Sequence, residues 1–240
     1  MRKKLLVFGA VASVLRLGGL SIANAVSSLS IADGSSADTV TIVDQSGADM
    51  NSSLGEVEWA GTIGSWTLNL EDTGETKPHL GSVTVPNMSS SFQAKSLGKG
   101  TDQMAITWSD TRFSPSSGGF NASIGVTTSG SGISIGFTTY YSIGDIIPAN
   151  TSLPTTTTGT TLNNAGRSFG ASNRAYFEPL GPDYSLTEVV TNTASVASFL
   201  TIGNATVIAV PDAGSTLILL GTTRSLLGVF GLSRSKWQKA

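Results

Sequence analysis

A chain that transforms a substrate needs side chains that attack, titrate or ligate, and this one holds few. Among 240 residues there is one histidine, His79, and no cysteine. Thiol nucleophiles, zinc–thiolate centres and disulfides are therefore excluded, and so is a histidine-rich metal site. His79 follows Pro78 in a turn-like stretch and reads as an isolated surface histidine. The run Gly132-Ile133-Ser134-Ile135-Gly136 matches Gly-x-Ser-x-Gly. A nucleophile elbow needs that serine on a strand-to-helix turn, with an acid and then a histidine later in the chain. Here an alternating strand pattern continues through Phe137-Thr138-Thr139-Tyr140, and the histidine lies upstream. Ser134 therefore reads as a strand residue.

The carboxylates give no clearer signal. Glu56 and Glu58 sit two apart on a predicted strand, hence on one face. Glu71, Asp72 and Glu75 form a second group. A glycosidase sets two carboxylates across a cleft, which neither spacing supplies, so both groups read as solvated faces. Asp44-Gln45-Ser46-Gly47-Ala48-Asp49 gathers oxygen ligands around a glycine but lacks the terminal glutamate of a calcium loop. There is no P-loop and no dinucleotide fingerprint. The expectation is a non-enzyme with no catalytic, cofactor-binding or metal-binding residues. Trp59, Trp66, Trp108, Tyr140 and Tyr141 are the candidates for stacking on a sugar; the alternative role for such rings is to fill a core.

The elements that carry these residues read as strands. Serine (35) and threonine (29) together outnumber every charged type, and glycine adds 28. Threonine suits pleated surfaces, while serine and glycine suit turns. Thr39–Val43 and Ser65–Leu70 alternate with period two. Further predicted strands are Val57–Ile63, Leu80–Val85, Ser90–Lys95, Met104–Trp108, Phe120–Thr127, Ile133–Tyr141, Ala175–Phe177, Ser185–Thr191 and Ala205–Val210. Roughly ten short strands with regular turn signals predict an all-β, antiparallel β-sandwich or jelly-roll body. Ile42, Trp66, Leu68, Leu70, Ile106, Trp108, Ile133, Ile135 and Phe137 are its expected core. The low-complexity segment Thr151–Leu162 is either an O-glycosylated linker or a threonine-rich loop or edge strand.

Charge divides the chain into three. All 16 acidic residues lie in 26–212, where only six lysines and arginines occur, so this body carries −10. Nucleic acid is excluded as a partner, because phosphate binding needs clustered cations. At the head, Arg2-Lys3-Lys4 precedes the apolar run Leu5–Leu15, and Ala23-Asn24-Ala25 offers a small-x-small cleavage site. That is the layout of a secretory signal peptide over 1–25, drawn as a helix and cut by signal peptidase. At the tail, Val210-Pro211-Asp212-Ala213-Gly214 precedes the apolar stretch Ser215–Leu232 and the cations Arg234, Lys236 and Lys239. Eighteen residues make a helix of about 27 Å, close to the hydrocarbon thickness of a bilayer. Nine Leu, Ile, Val or Phe residues contribute about −3 to −5 kcal/mol to insertion, and Arg224 costs about 2.5–3.5 kcal/mol. The segment thus suits a short transmembrane helix that stops transfer temporarily. A permanent single-pass anchor and a buried C-terminal helix are the competing readings. The domain plan is 1–25 signal, 26–209 body and 210–240 sorting signal.

The tail resembles the PEP-CTERM class of sorting signals, in its VPDSG-type form, with Ala213 where serine is usual. The body resembles strand-rich bodies that accompany such tails, through Gly64-Ser65-Trp66, Thr76-Lys77-Pro78, Trp108-Ser109-Asp110-Thr111-Arg112-Phe113 and Tyr184–Val190. The resemblance implies recognition of the motif by an exosortase in the inner membrane of an outer-membrane-bearing bacterium that makes exopolysaccharide. The implied product is an exported surface or matrix protein, with extracellular polysaccharide as a partner. Arg224 and Arg16 depart from the pattern by interrupting the two apolar runs. The alternative expectation is a secreted carbohydrate-binding β-sandwich.

Overall fold

The computed structural model describes residues 27–34, 38–69, 73–98, 102–114, 118–129, 132–148, 151–152, 157–162, 168–177, 183–195 and 200–211. The signal-peptide and transmembrane helices, Ala23, Ala25, Asp212, Ala213, Gly214, Arg234, Lys236, Lys239 and the core candidate Leu70 lie outside them. Among the described residues no helix is long and apolar enough to cross a membrane.

What is described is antiparallel β-structure. The strands are β1 (Ser28–Asp33), β2 (Thr39–Val43), β3 (Glu56–Glu58), β4 (Gly61–Ile63), β5 (Trp66–Leu68), β6 (Thr73–Glu75), β7 (Asn87–Ser96) and β8 (Asp102–Phe113). They continue with β9 (Gly118–Thr128), β10 (Ile133–Ile143), β11 (Thr151–Ser152), β12 (Thr157–Leu162), β13 (Ser168–Phe177), β14 (Tyr184–Ala194) and β15 (Leu200–Pro211). One sheet runs β11-β10-β14-β8-β1-β2, with β12 also on β10. The other runs β13-β9-β15-β7-β5-β4, with β6 also on β7 and β3 on β6. From β7 to β10 successive strands alternate between the sheets, and β13, β14 and β15 do so again. This is the connectivity of a double-sheet jelly roll.

Alternation builds the core. In β10 the residues Ile133, Ile135 and Phe137 turn inward, while Ser134, Gly136 and Thr138 turn outward. The same period buries Ile106 and Trp108 of β8 and Phe120, Ala122, Ile124 and Val126 of β9. Every described residue of the expected core is buried, and Leu29, Ile31, Phe92, Phe113, Tyr184 and Val207 join them. Trp108 lies so close above Gly74 that a Cβ there would meet its ring at 2.5 Å. Tyr184 packs against Phe113 (centroids 5.7 Å apart) and edge-on to Phe120 (6.4 Å).

Three sequence expectations change. Among the described residues there are fifteen strands, and the main ones run 10 to 12 residues, longer than the apolar runs that mark them. At one such pair of ends, Ser96 of β7 and Asp102 of β8 hydrogen bond between the sheets rather than exit to solvent. Leu80–Val85 alternates but is a turn: Gly81 has φ +75°, Ser82 N–H donates to Val85 O at 3.0 Å, and only a Gly81–Pro86 bridge forms. Val57–Ile63 is two strands, β3 and β4, broken at Trp59-Ala60. The Thr151–Leu162 segment supplies β11 and β12, two edge strands paired to β10.

Candidate functional site

The expected sorting motif begins inside the fold. Val210 and Pro211 are the last two positions of β15 and pair with Gly119 and Gly118 of β9. The sheet thus runs two residues into the 210–240 segment. These two rungs face glycines, which offer no side chain across the ladder.

The five aromatic candidates are not brought together. Trp66 and Trp108 are fully buried in the core, so neither can stack on a ligand. Trp59 and Tyr141 are half-buried and packed against that core, the Trp59 ring lying over Gly61. Tyr140 and Tyr141 are neighbours in one strand and point to opposite faces. Burial of apolar area removes Trp66 and Trp108 from any aromatic platform, while Trp59, Tyr140 and Tyr141 keep part of their surface exposed.

Outside the core, the sheet containing β1 shows an uncharged hydroxyl face. Ser28 faces Val43 and Ser109, and Ser30 faces Thr41 and Thr107. These six residues, with Ile147 and Pro148 from the following loop, line a groove of about 310 Å³. No titratable group lines it.

The titratable groups that sequence treats as surface are partly internal. Four acids of the β1 sheet are buried: Asp33, Asp102, Asp110 and Glu188. Three of these reach hydroxyl or ammonium donors supplied by the opposite sheet and its loops, as does Asp33 through Ser65. The Ser65 amide donates to Asp33 Oδ2 at 3.0 Å, its hydroxyl donates to Asp102, and Ser96 Oγ donates to Asp102 Oδ2 at 3.0 Å. Asp110 accepts from Lys77 Nζ (2.6 Å), Thr76 Oγ1 (2.8 Å) and the Thr111 amide (2.7 Å). Lys77 also donates to Thr111 O and sits 4.0 Å above the Phe113 ring. Burial pushes the Asp110 carboxyl up and the Lys77 ammonium down, against their mutual attraction. A bulge makes this cluster. Asp110 pairs with Leu186 and Phe113 with Tyr184, so β8 carries one extra residue and its inward phase changes from even to odd. Arg112, at φ +60°, is held there by its amide donating to Asp145 Oδ1 at 2.7 Å.

Glu188 lies deeper, between Trp108 and Thr139 in its own sheet. It accepts from Ser90 Oγ at 3.1 Å, while its Oε1 is buried without a partner. Burial raises its pKa to about 8, offset in part by hydrogen bonds from Ser90 and the Val207 backbone. Its period-two position among valines and threonines carried no signal that sequence reasoning used.

The loop Asp44–Asp49 uses its carboxylates internally. Asp44 accepts from Ser27 Oγ and the Gly55 amide, and Asp49 from the amides of Gln45, Asn51 and Glu58. His79 is not isolated: its Nε2 stands 2.9 Å from Glu56 Oε1. Glu58 does not join Glu56. The residue brought opposite Glu56 is Glu75, by the β3–β6 register. Ser134 lies within β10, opposite Thr193, as a strand residue.

No protein-family model matches the chain, and no curated protein matches it. Among solved structures it is similar to TmCBM61 in complex with β-1,4-galactotriose, at 7% identity and TM-score 0.32, over 62% of this chain and 92% of that one. It is also similar to the enzymatically active domain of bacteriophage CBA120 tailspike protein 4, at 14% identity and TM-score 0.31, over 62% and 20%. A third similarity is to infectious bursal disease virus, Gx strain, at 12% identity and TM-score 0.31, over 86% and 54%.

Proposed function

We propose that the chain is an exported, non-enzymatic protein of the cell surface or exopolysaccharide matrix, processed through its 210–240 sorting signal. Signal peptidase removes 1–25 after Ala25, and an exosortase-type enzyme acts on Val210-Pro211-Asp212-Ala213-Gly214 while Ser215–Leu232 holds the chain in the inner membrane. The observation that carries this reading is the position of the motif at the end of β15. The last described rungs of β15 are Val210 and Pro211 against Gly119 and Gly118. Rungs that face glycine open at small cost, and opening them presents an extended, unshielded motif to a processing enzyme. The buried acids fit a structural role, since each ties one sheet to the other rather than lining a cleft.

Processing of a Gly119→Val chain tests this. A valine at that rung adds a cross-strand partner for Val210 and slows release of the motif. Slower conversion to the trimmed form, with Pro211→Ala blocking conversion, is expected. Equal conversion of all three chains, or full-length protein retained in the cytoplasm, contradicts the reading.

A second reading is supported by the groove of Ser28, Ser30, Thr41, Thr107 and Ser109. Its hydroxyls, the apolar surface of Val43, Ile147 and Pro148 beside them and its lack of charge suit a neutral polysaccharide, bound by hydrogen bonds and apolar contact without ring stacking. Ser30→Arg fills the groove with a charged side chain. Loss of retardation in gels containing a neutral polysaccharide supports this reading, and unchanged mobility of wild type in such gels ends it.

A further inference from the structure

We infer that Glu56, Glu75 and His79 bind one divalent transition-metal ion. The three offer a carboxylate oxygen, a carboxylate oxygen and an imidazole nitrogen, and these atoms all lie within 4.8 Å of one another. Glu56 and Glu75 are directly opposite in the β3–β6 pair, so two like charges face each other on one side of a two-stranded ribbon. Such facing charges are destabilising unless a cation stands between them. The neighbouring cation in sequence, Lys77, turns inward to Asp110. Among the described residues no lysine or arginine forms a salt bridge with either glutamate; His79 Nε2 stands 2.9 Å from Glu56, and a ligand nitrogen of His79 lies within 4.8 Å of a Glu75 oxygen.

The backbone fixes this arrangement. Glu75 O accepts from the buried Trp108 Nε1 at 3.2 Å, and Gly74 beside it is clamped under the same ring. Thr76 N donates to Gly55 O (2.8 Å) and Leu80 N to Thr76 O (2.7 Å), closing the turn that returns His79 over β3. The Glu56 side chain is 12% exposed and that of His79 47%, so two ligands are anchored and the third is open to solvent.

One imidazole nitrogen and two carboxylate oxygens, with room for water, suit Zn²⁺ and its first-row neighbours. Calcium and magnesium favour all-oxygen sets and gain little from the imidazole. Ligand atoms at about 2.0–2.2 Å from a common ion lie roughly 3–4 Å apart, within small side-chain rotations of the spacing here. Binding would join β3, β6 and the 76–80 turn. The inference does not depend on export or on the tail.

Because His79 is the sole histidine, its imidazole resonances report on the site without assignment ambiguity. The experiment is a titration of the full chain with zinc chloride, read by those resonances and by thermal unfolding. One equivalent is expected to shift the imidazole signals and raise Tm by several degrees. Glu75→Gln removes the facing charge, so its metal-free Tm is expected at or above wild type, while its zinc affinity falls by about tenfold or more. His79→Gln, an exposed substitution that leaves the fold intact, is expected to lose the stabilisation as well. Unmoved imidazole signals overturn the inference, as does zinc affinity in Glu75→Gln and His79→Gln equal to that of wild type, and the His79–Glu56 ion pair then stands alone.

Discussion

Two buried acids of the same sheet, Asp110 and Glu188, meet opposite fates. Asp110 sits at the bulge in β8 and collects an ammonium, a hydroxyl and an amide within 2.8 Å. Glu188, in the regular part of β14, has a hydroxyl from Ser90 and the Val207 backbone but, among the described residues, no cation, and its Oε1 has no hydrogen-bond partner. The difference lies in local backbone geometry. A bulge frees a peptide N–H and turns adjacent residues inward, so a charge can be surrounded; an unbroken ladder spends its N–H groups on pairing. Asp110 is an ion-pair staple between the sheets. Glu188 is an acid that burial keeps protonated past neutrality.

Breaking the staple is expected to have the largest effect. Asp110→Ala leaves the Lys77 ammonium buried without its partner and should cost about 3–5 kcal/mol. Urea unfolding at pH 7 measures it; a loss under about 1 kcal/mol would reduce the cluster to a surface-like pair. The Glu188 side of the comparison is read by pH. Its folded pKa of about 8 lies above the ordinary glutamate value of 4.5. A raised carboxyl contributes stability that is fully present below about pH 4.5 and is lost as pH rises toward 8. The slope is at most about 1.4 kcal/mol per pH unit. Glu188→Gln keeps the shape without the proton and is expected to unfold with a flatter profile across pH 5–8, more stable than wild type at pH 8. Asp110 and Lys77 are common to both proteins, so the difference isolates Glu188. Parallel profiles would contradict a protonated Glu188.

Smaller effects sharpen the contrast. Gly74→Ala pushes a methyl into the Trp108 ring beside the staple, and overpacking of this kind costs about 1–3 kcal/mol. Ser90→Ala removes the side-chain hydrogen bond to Glu188, a loss of about 1 kcal/mol. Because that bond favours the ionised form, its removal should also move the pH-dependent loss upward. A wild-type profile in Ser90→Ala would show that the bond does not reach the carboxylate.

Much of the fold was legible, and the reason is periodicity. Ile133, Ile135 and Phe137 announce both a strand and its buried face, since period two is a property of the chain alone. Pairing is not. Glu56 meets Glu75, and Lys77 meets Asp110 33 residues away, through registers that no local pattern encodes. The polar run Ser109-Asp110-Thr111 reads as a strand end because its donors come from the other sheet. Leu80–Val85 alternates as well as any strand, yet a left-handed Gly81 and the missing amide of Pro86 stop the ladder. His79 was legible as a residue type, but its two carboxylate neighbours depend on tertiary structure. The tryptophans illustrate the converse: their chemistry suits a sugar surface, and their apolar area places Trp66 and Trp108 in the core.

Export with trimming at the last strand is tested most directly by the intact mass of the protein recovered outside the cytoplasm. The expected mass is that of a chain starting at Val26 and ending at or within Val210-Pro211-Asp212-Ala213-Gly214. A mass that still includes Ser215–Ala240 would contradict removal of the tail, and a full-length mass from the cytoplasm alone would contradict export.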